Sequence, residues 1–124
     1  MIKCNMNIWG RDFELPVIIK QFKEIDITDI QKQAVEKIDD CNIAINQSKD
    51  KVEKYILDNG LKDNGITDVT NIFKYVIPKS IFIPKFNDRV VAFMCNYKYD
   101  MEHGIAIVIE NEKFKEIGQQ DLIL

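Results

Sequence analysis

Apolar and polar residues alternate at the start of the chain. The apolar members fall at every second position in two runs, residues 2–8 and 13–19, with turn-forming residues 9–12 between them. A period of two is typical of a β-strand that has one buried and one hydrated face, so we expect a β-hairpin here. Pro16 lies in the second run and has no N–H group to donate, which places it at a sheet edge or at a β-bulge.

Over residues 30–56 the apolar spacing changes to three or four, which is the period of an amphipathic helix. Thr28 and Gln31 have the spacing of a capping box, so the first helix is expected to begin there. Residues 39–42 are poor helix formers, and Ser48 resembles a second N-cap. The pattern therefore predicts two helices, or one helix with a break.

The second half of the chain contains further element boundaries. Gly60 suits the left-handed position that ends a helix, and a short helix is predicted over residues 68–76, ended by Pro78. Alternation then returns and predicts strands at residues 81–83, 90–97, 105–109 and 113–117. The tail, residues 121–124, is apolar and is expected to dock on the core.

The order of these elements is strands, then helices, then strands again. That order predicts an α+β fold in which an N-terminal hairpin and a C-terminal meander form an antiparallel sheet, with two or three helices packed on one face. A chain of 124 residues without a linker or an internal repeat is expected to form one domain over residues 1–124.

The composition permits a folded core and excludes several classes of partner. Apolar residues make up 46% of the chain, charged residues make up 30%, and the formal net charge is −3. The basic residues are scattered rather than clustered, so no nucleic-acid partner is expected. No apolar run approaches the roughly 20 residues that cross a bilayer, and the first residues contain no signal-peptide core. We therefore expect a cytoplasmic protein without a membrane partner.

The cysteines are odd in number and far apart, at Cys4, Cys41 and Cys95, and are expected to be reduced. Cys95 could act as a nucleophile together with a histidine, but its place inside an apolar strand favours a buried structural role. The two serines are not in a Gly-x-Ser-x-Gly motif, which argues against a serine hydrolase.

The segment from residue 97 to residue 104 is the main candidate for chemistry. It holds the one histidine of the chain, His103, together with Tyr97, Tyr99, Asp100 and Glu102. The carboxylates and the imidazole could coordinate a metal or act as a general base. The alternative, which we favour, is a turn in which Asp100 accepts backbone N–H groups and His103 stacks on a tyrosine. No metal, other cofactor or catalytic residue is expected on this interpretation.

Trp9 is a second candidate for binding. It falls in the predicted turn of the N-terminal hairpin, where an exposed indole could anchor a partner protein. Most single tryptophans are core residues, so a structural role is the alternative.

The C-terminal part of the chain carries a resemblance. Residues 100–104 read Asp-Met-Glu-His-Gly, and residues 118–121 read Gly-Gln-Gln-Asp. This pattern resembles the D-x-E-H-G … G-x-x-D signature of small uncharacterised bacterial domains of unknown function. The resemblance implies a compact α+β domain, and some such domains occur beside toxins as immunity proteins. It also implies that one structural feature contains Asp100, Glu102, His103, Gly104, Gly118 and Asp121.

Two functions follow from these patterns. The first is a protein-interaction module, immunity-like in the sense above, whose mild acidity suits a basic toxin or a complex subunit; its binding residues would be Trp9, Tyr97, Tyr99, Asp100, Glu102, His103 and Asp121. The second is a metal-dependent, hydrolase-like enzyme that uses Asp100, Glu102 and His103. The sequence leaves the oligomeric state open.

Overall fold

The computed structural model describes residues 2–21 and 27–124, which form one six-stranded sheet and three α-helices. The strands are β1 (Lys3–Ile8), β2 (Arg11–Ile19), β3 (Val76–Ile83), β4 (Val90–Tyr97), β5 (Ile105–Glu110) and β6 (Lys113–Gly118). The helices are α1 (Asp29–Glu36), α2 (Asn42–Gln47) and α3 (Lys49–Ile56). The predicted α+β class is therefore confirmed.

The six strands follow one another in the sheet in chain order. Every neighbouring pair is antiparallel except β2 and β3, which run parallel with Val17 opposite Ile81. Parallel neighbours need a long crossover, and the chain segment that carries α1, α2 and α3 supplies it. The hairpin and the meander were both predicted, whereas the parallel pair that joins them was not.

The helices cover one face of the sheet and form the main core with it. Ile81, Phe93 and Ile107 point to this face from three adjacent strands and are fully buried. Val52 and Ile56 of α3 belong to the same cluster and are fully buried as well. The spacing of three or four in the helical region and the period of two in the strands thus meet in one core.

A second, smaller apolar cluster lies on the other face of the sheet. Phe82, Ala92, Met94 and Val108 belong to it, and Ile123 from the tail packs against them with 4% of its surface exposed. The expected docking of the tail is therefore confirmed.

No helix in the described part of the chain is long and apolar enough to cross a membrane.

Thr28 begins α1 as predicted. Its hydroxyl oxygen accepts a hydrogen bond from the backbone N–H of Gln31 at 3.1 Å, and its own N–H donates to Oε1 of Gln31 at 3.0 Å. These two bonds satisfy donors that the first turn of a helix leaves free. The predicted break is a 3₁₀ turn, Asp39–Cys41, between α1 and α2.

The predicted helix over residues 68–76 is wrong. Only a 3₁₀ turn forms, Ile72–Lys74, and β3 already begins at Val76. Pro78 lies inside β3, where the register with β4 shifts between Pro78 and Ser80. A β-bulge tolerates a residue without an N–H group, so this proline marks an irregular strand rather than the end of a helix.

Candidate functional site

Residues 97–104 connect β4 to β5 as a tight turn organised by Asp100. Its Oδ1 atom accepts hydrogen bonds from the backbone N–H of His103 at 3.1 Å and from ring Nδ1 of His103 at 3.0 Å. Its carbonyl oxygen accepts the N–H of Gly104 at 2.8 Å. The side chain of Asp100 thus accepts a backbone N–H in the turn, as we favoured from the sequence, whereas the imidazole that we expected to stack on a tyrosine pairs with Asp100.

The turn is bound to the tail of the chain by two glutamines. Nε2 of Gln119 donates to Oδ2 of Asp100 at 3.1 Å, and the N–H of Gln120 donates to the carbonyl of His103 at 3.0 Å. Nε2 of Gln120 also donates to the carbonyl of Cys95 at 3.0 Å. The sequence did not indicate either glutamine, because both are distant in sequence from the turn that they contact and no local pattern links them to it.

Gly104 occupies a position that only glycine fits. Its φ is +58°, in the left-handed region, and a Cβ atom here would lie 2.6 Å from the carbonyl oxygen of Cys95 and 2.5 Å from Nε2 of Gln120. The backbone of β4 and the side chain from the tail therefore close around this glycine.

The ion pair of Asp100 and His103 changes the proton affinity of both groups. Hydrogen bonding to Asp100, reinforced by its charge, raises the pKa of His103 above its ordinary value, and the charges of Glu102 and Asp121 act in the same direction. The backbone N–H of His103 is the main cause of the lowered pKa of Asp100. The imidazole therefore binds its proton more tightly in the folded protein than in the unfolded chain.

The raised pKa of His103 predicts how the stability of the turn depends on pH. Because the folded-state pKa of His103 is raised, the stability that the ion pair contributes is present below the unfolded pKa and is lost as the pH rises through the folded pKa. We expect an NMR titration of the one imidazole in the chain to give a pKa above 6.5, and Asp100→Asn to lower that pKa. An unchanged pKa in Asp100→Asn would contradict the ion pair.

The oxygens of Asp100 are engaged within the turn and the tail. Both carboxylate oxygens of Asp100 already accept hydrogen bonds, from His103 and Gln119. Within residues 2–21 and 27–124, no group of three or more His, Cys, Asp or Glu side chains is arranged to hold a metal ion. Since a catalytic zinc needs about three protein ligands at one point, the geometry does not support the hydrolase-like alternative with Asp100, Glu102 and His103.

The four tyrosines of the chain lie at the end of the molecule where this turn is found. Tyr97 packs edge-on against Tyr99, with ring centroids 6.1 Å apart, and Tyr99 stacks on Tyr75 at 6.3 Å. The hydroxyl of Tyr97 lies 2.6 Å from the carbonyl oxygen of Asn59, and burial is the main cause that raises its pKa to about 12. Tyr97 is thus a buried anchor for the segment that follows α3, whereas Tyr99 is only half-buried.

Trp9 is a core residue, so its candidate role as an exposed anchor is wrong and the structural alternative is confirmed. Trp9 has a left-handed φ of +53° and an exposed fraction of 8%, and its Nε1 atom donates to the carbonyl of Ile45 at 2.9 Å. Its backbone N–H donates to Oδ1 of Asn46 at 2.7 Å. The turn folds back onto α2, so the indole joins the hairpin to the helix and presents no anchor to a partner.

Cys95 is a structural residue. It is fully buried in β4, and burial raises the pKa of its thiol to about 12, so almost no thiolate forms at neutral pH. Cys41 is also buried, with its pKa raised to about 12, mainly by burial. All three cysteines are free thiols.

The cysteines make a second prediction. In denaturant and without prior reduction, a thiol reagent should titrate Cys4, Cys41 and Cys95 completely. In the native protein, half-buried Cys4 should react first, because the other two thiols are buried and remain protonated. Recovery of a single thiol from the denatured chain would reveal a disulfide and refute the assignment.

Comparison with known proteins places the chain in a family. No curated protein and no solved structure matches it at a significant level. A family model described as "Domain of unknown function (DUF6985)" matches residues 2–124. Since that match covers almost the whole sequence, the chain belongs to the DUF6985 family.

Proposed function

We propose that this protein is a protein-interaction module whose contact surface, the turn–tail surface, consists of residues 99–103 and 119–124. The observation that carries the proposal is the exposure of large apolar side chains on both segments. Met101 is 65% exposed, Leu122 is 47% exposed and Leu124 is 65% exposed. Exposed apolar patches rimmed by polar residues mark protein-binding sites, and methionine is enriched in them; we propose that these three side chains form one such patch.

The hydrogen bonds of the site support this proposal. Gln119 and Gln120 fix the tail to the turn, so the two segments present one preorganised surface. Preorganisation lowers the entropic cost of binding a partner. Asp100, Gln119 and Gln120 then act as positioning residues, while the side chains around them make the contacts.

The charges of this surface indicate the class of partner. Glu102 and Asp121 are exposed carboxylates close enough to His103 to raise its pKa. The chain as a whole carries a formal charge of −3. Complementary charge speeds association and selects partners, so we propose a basic partner protein. The resemblance to domains found beside toxins makes a basic toxin the specific form of this proposal, with an immunity-like role.

The test captures a partner and then measures its affinity. Tagged protein is used to capture partners from cells of its source, and each retained protein is purified and titrated by calorimetry. We expect a partner with net positive charge, whose dissociation constant rises with salt because the contact is electrostatic in part. Met101→Ser combined with Leu122→Ser should weaken binding by about tenfold or more, as expected when apolar contact residues are removed.

The matched control is Ile2→Ser, which removes an isoleucine that is 50% exposed and lies outside the turn–tail surface. It should leave the dissociation constant unchanged. A double variant that binds as tightly as the parent would refute the assigned surface, and an acidic partner with salt-independent binding would refute the proposed partner class.

A further inference from the structure

The first strand of the sheet, β1, is an edge strand with a regular backbone. It pairs with β2 in one unbroken register that spans all six of its residues. The N–H of Val17 donates to the carbonyl of Ile2 at 2.8 Å, which makes these two residues a hydrogen-bonded pair. Hydrogen-bonded and non-bonded pairs alternate along an antiparallel ladder, so Lys3, Asn5 and Asn7 turn their backbone N–H and C=O groups away from β2.

The helix α2 covers one half of this edge. The Nδ2 atoms of Asn42 and Asn46 donate to the carbonyl of Asn7 at 3.1 and 3.0 Å. Oδ1 of Asn46 also accepts the N–H of Trp9 at 2.7 Å. From Asn7 onward, side chains of the helix therefore satisfy the backbone groups that a neighbouring strand would otherwise bind.

The other half of the edge is open. Lys3 and Asn5 are exposed. In the part of the chain that the structure describes, no group bonds to the outward N–H of either residue, and the carbonyl of Asn5 receives only the thiol of Cys4 at 3.9 Å. Unpaired backbone groups on a regular edge are a template for pairing with another chain.

The covered and open halves together select one arrangement for two copies of this edge. In an antiparallel pair around a twofold axis, outward residues must lie opposite outward residues. An axis at Asn5 would need the carbonyl of Asn7, which α2 already binds. An axis at Lys3 would place two like charges opposite each other. An axis at Cys4 avoids both problems, because it places Lys3 of each copy opposite Asn5 of the other.

Both faces of the strand match in this arrangement. On the face away from the helices, Lys3 lies opposite a neutral asparagine and keeps its ion pair with Glu14 at 3.1 Å. On the helix-facing side, Ile2, which is 50% exposed, lies opposite Met6 of the second copy and gains an apolar neighbour. The Asp39 carboxylate of each copy lies near the axis but is exposed, so solvent and salt screen the repulsion.

We infer that two copies of this chain associate through β1, as an antiparallel pair with Cys4 at the twofold axis, and so join their sheets into one. A second copy fits the open edge because that edge is self-complementary: each of its two outward residues exchanges backbone hydrogen bonds with the other residue of the second copy. The interface contains no residue of the turn–tail surface, so the dimer is independent of the function proposed above.

Disulfide cross-linking tests the position of the axis. The two Cys4 residues form a non-hydrogen-bonded pair, whose Cα atoms lie about 4.5 Å apart, within the range that a disulfide spans. Diamide, a thiol oxidant, should therefore link the native protein into dimers that a reductant separates, since each thiol gives its proton and one electron to the reagent. The other two cysteines are buried.

Controls for the cross-link use Cys4→Ser as the parent. Adding Asn5→Cys alone should give no linked dimer, because residue 5 lies opposite residue 3 of the second copy rather than opposite itself. A mixture of this variant with the one that carries Lys3→Cys should restore the cross-link. Linkage through Asn5→Cys alone, or a dimer that Cys4 does not link, would refute the arrangement.

Sedimentation equilibrium under reducing conditions measures the association itself. We expect a monomer–dimer equilibrium, in which Asn5→Pro raises the dissociation constant by about tenfold or more, because proline removes an N–H group that only the dimer uses. Asn5→Ala is the matched control, since it keeps this N–H and should leave the dissociation constant unchanged. A monomer at every concentration, or equal weakening by both variants, would overturn the proposal. If circular dichroism shows that Asn5→Pro does not fold, the cross-linking pattern decides alone.

Discussion

Gly104→Val is expected to lower the free energy of unfolding by about 2–6 kcal/mol. This range is the sum of the strain of a β-branched residue at positive φ and the cost of overpacking. The φ of +58° is one cause, and the carbonyl oxygen of Cys95, 2.6 Å from the position of a Cβ atom, is the other. This carbonyl belongs to the backbone of β4, so it cannot move aside without disturbing the sheet. Urea denaturation with linear extrapolation measures the loss.

Two companion variants separate the causes. Gly65→Ala also stands at positive φ, +76°, but has no atom within 4 Å of its Cβ position, so it should cost only about 1 kcal/mol. His103→Ala should destabilise less than Gly104→Val, because the histidine side chain is 40% exposed and its loss leaves the backbone of the turn in place. If His103→Ala proved the more damaging change, the imidazole rather than the glycine would be the determinant of this turn.

The fold was predictable wherever a local pattern decides the structure. Alternation at period two located β4 and β5, and the Thr28–Gln31 spacing located the start of α1. These signals are local, because a capping box and an amphipathic strand are determined by residues a few positions apart. The α+β class followed from the order of the elements alone.

Features that depend on contacts between distant segments were missed. The parallel pairing of β2 with β3 depends on the path of the chain through the helices, which no local pattern encodes. The turn around Trp9 left both an exposed anchor and a core residue open, and the packing of that turn onto α2 buries the indole. In both places the outcome depends on tertiary packing, which the local pattern does not determine.

The candidate site also combines a feature with a local sequence signal and features that depend on distant segments. The sequence indicated that Asp100 organises the turn, because aspartate commonly accepts N–H groups close to it in sequence. The contributions of Gln119 and Gln120 come from a tail that reaches the turn only in the folded chain.

Ile107→Ala is expected to lower the free energy of unfolding by about 2–5 kcal/mol, the range for removing a buried aliphatic side chain and leaving a cavity. Ile107 is fully buried in β5, between Phe93 of β4 and Ile117 of β6, and faces the helices. Few neighbours can move to fill the space, because the strands on both sides hold their register.

The matched control for Ile107→Ala is Ile43→Ala, which removes the same atoms from a residue that is 68% exposed and should change stability by no more than about 0.5 kcal/mol. Both free energies come from urea denaturation at one temperature, with equal slopes required for a two-state comparison. A loss below about 1 kcal/mol for Ile107→Ala would contradict the placement of β5 as an inner strand between β4 and β6.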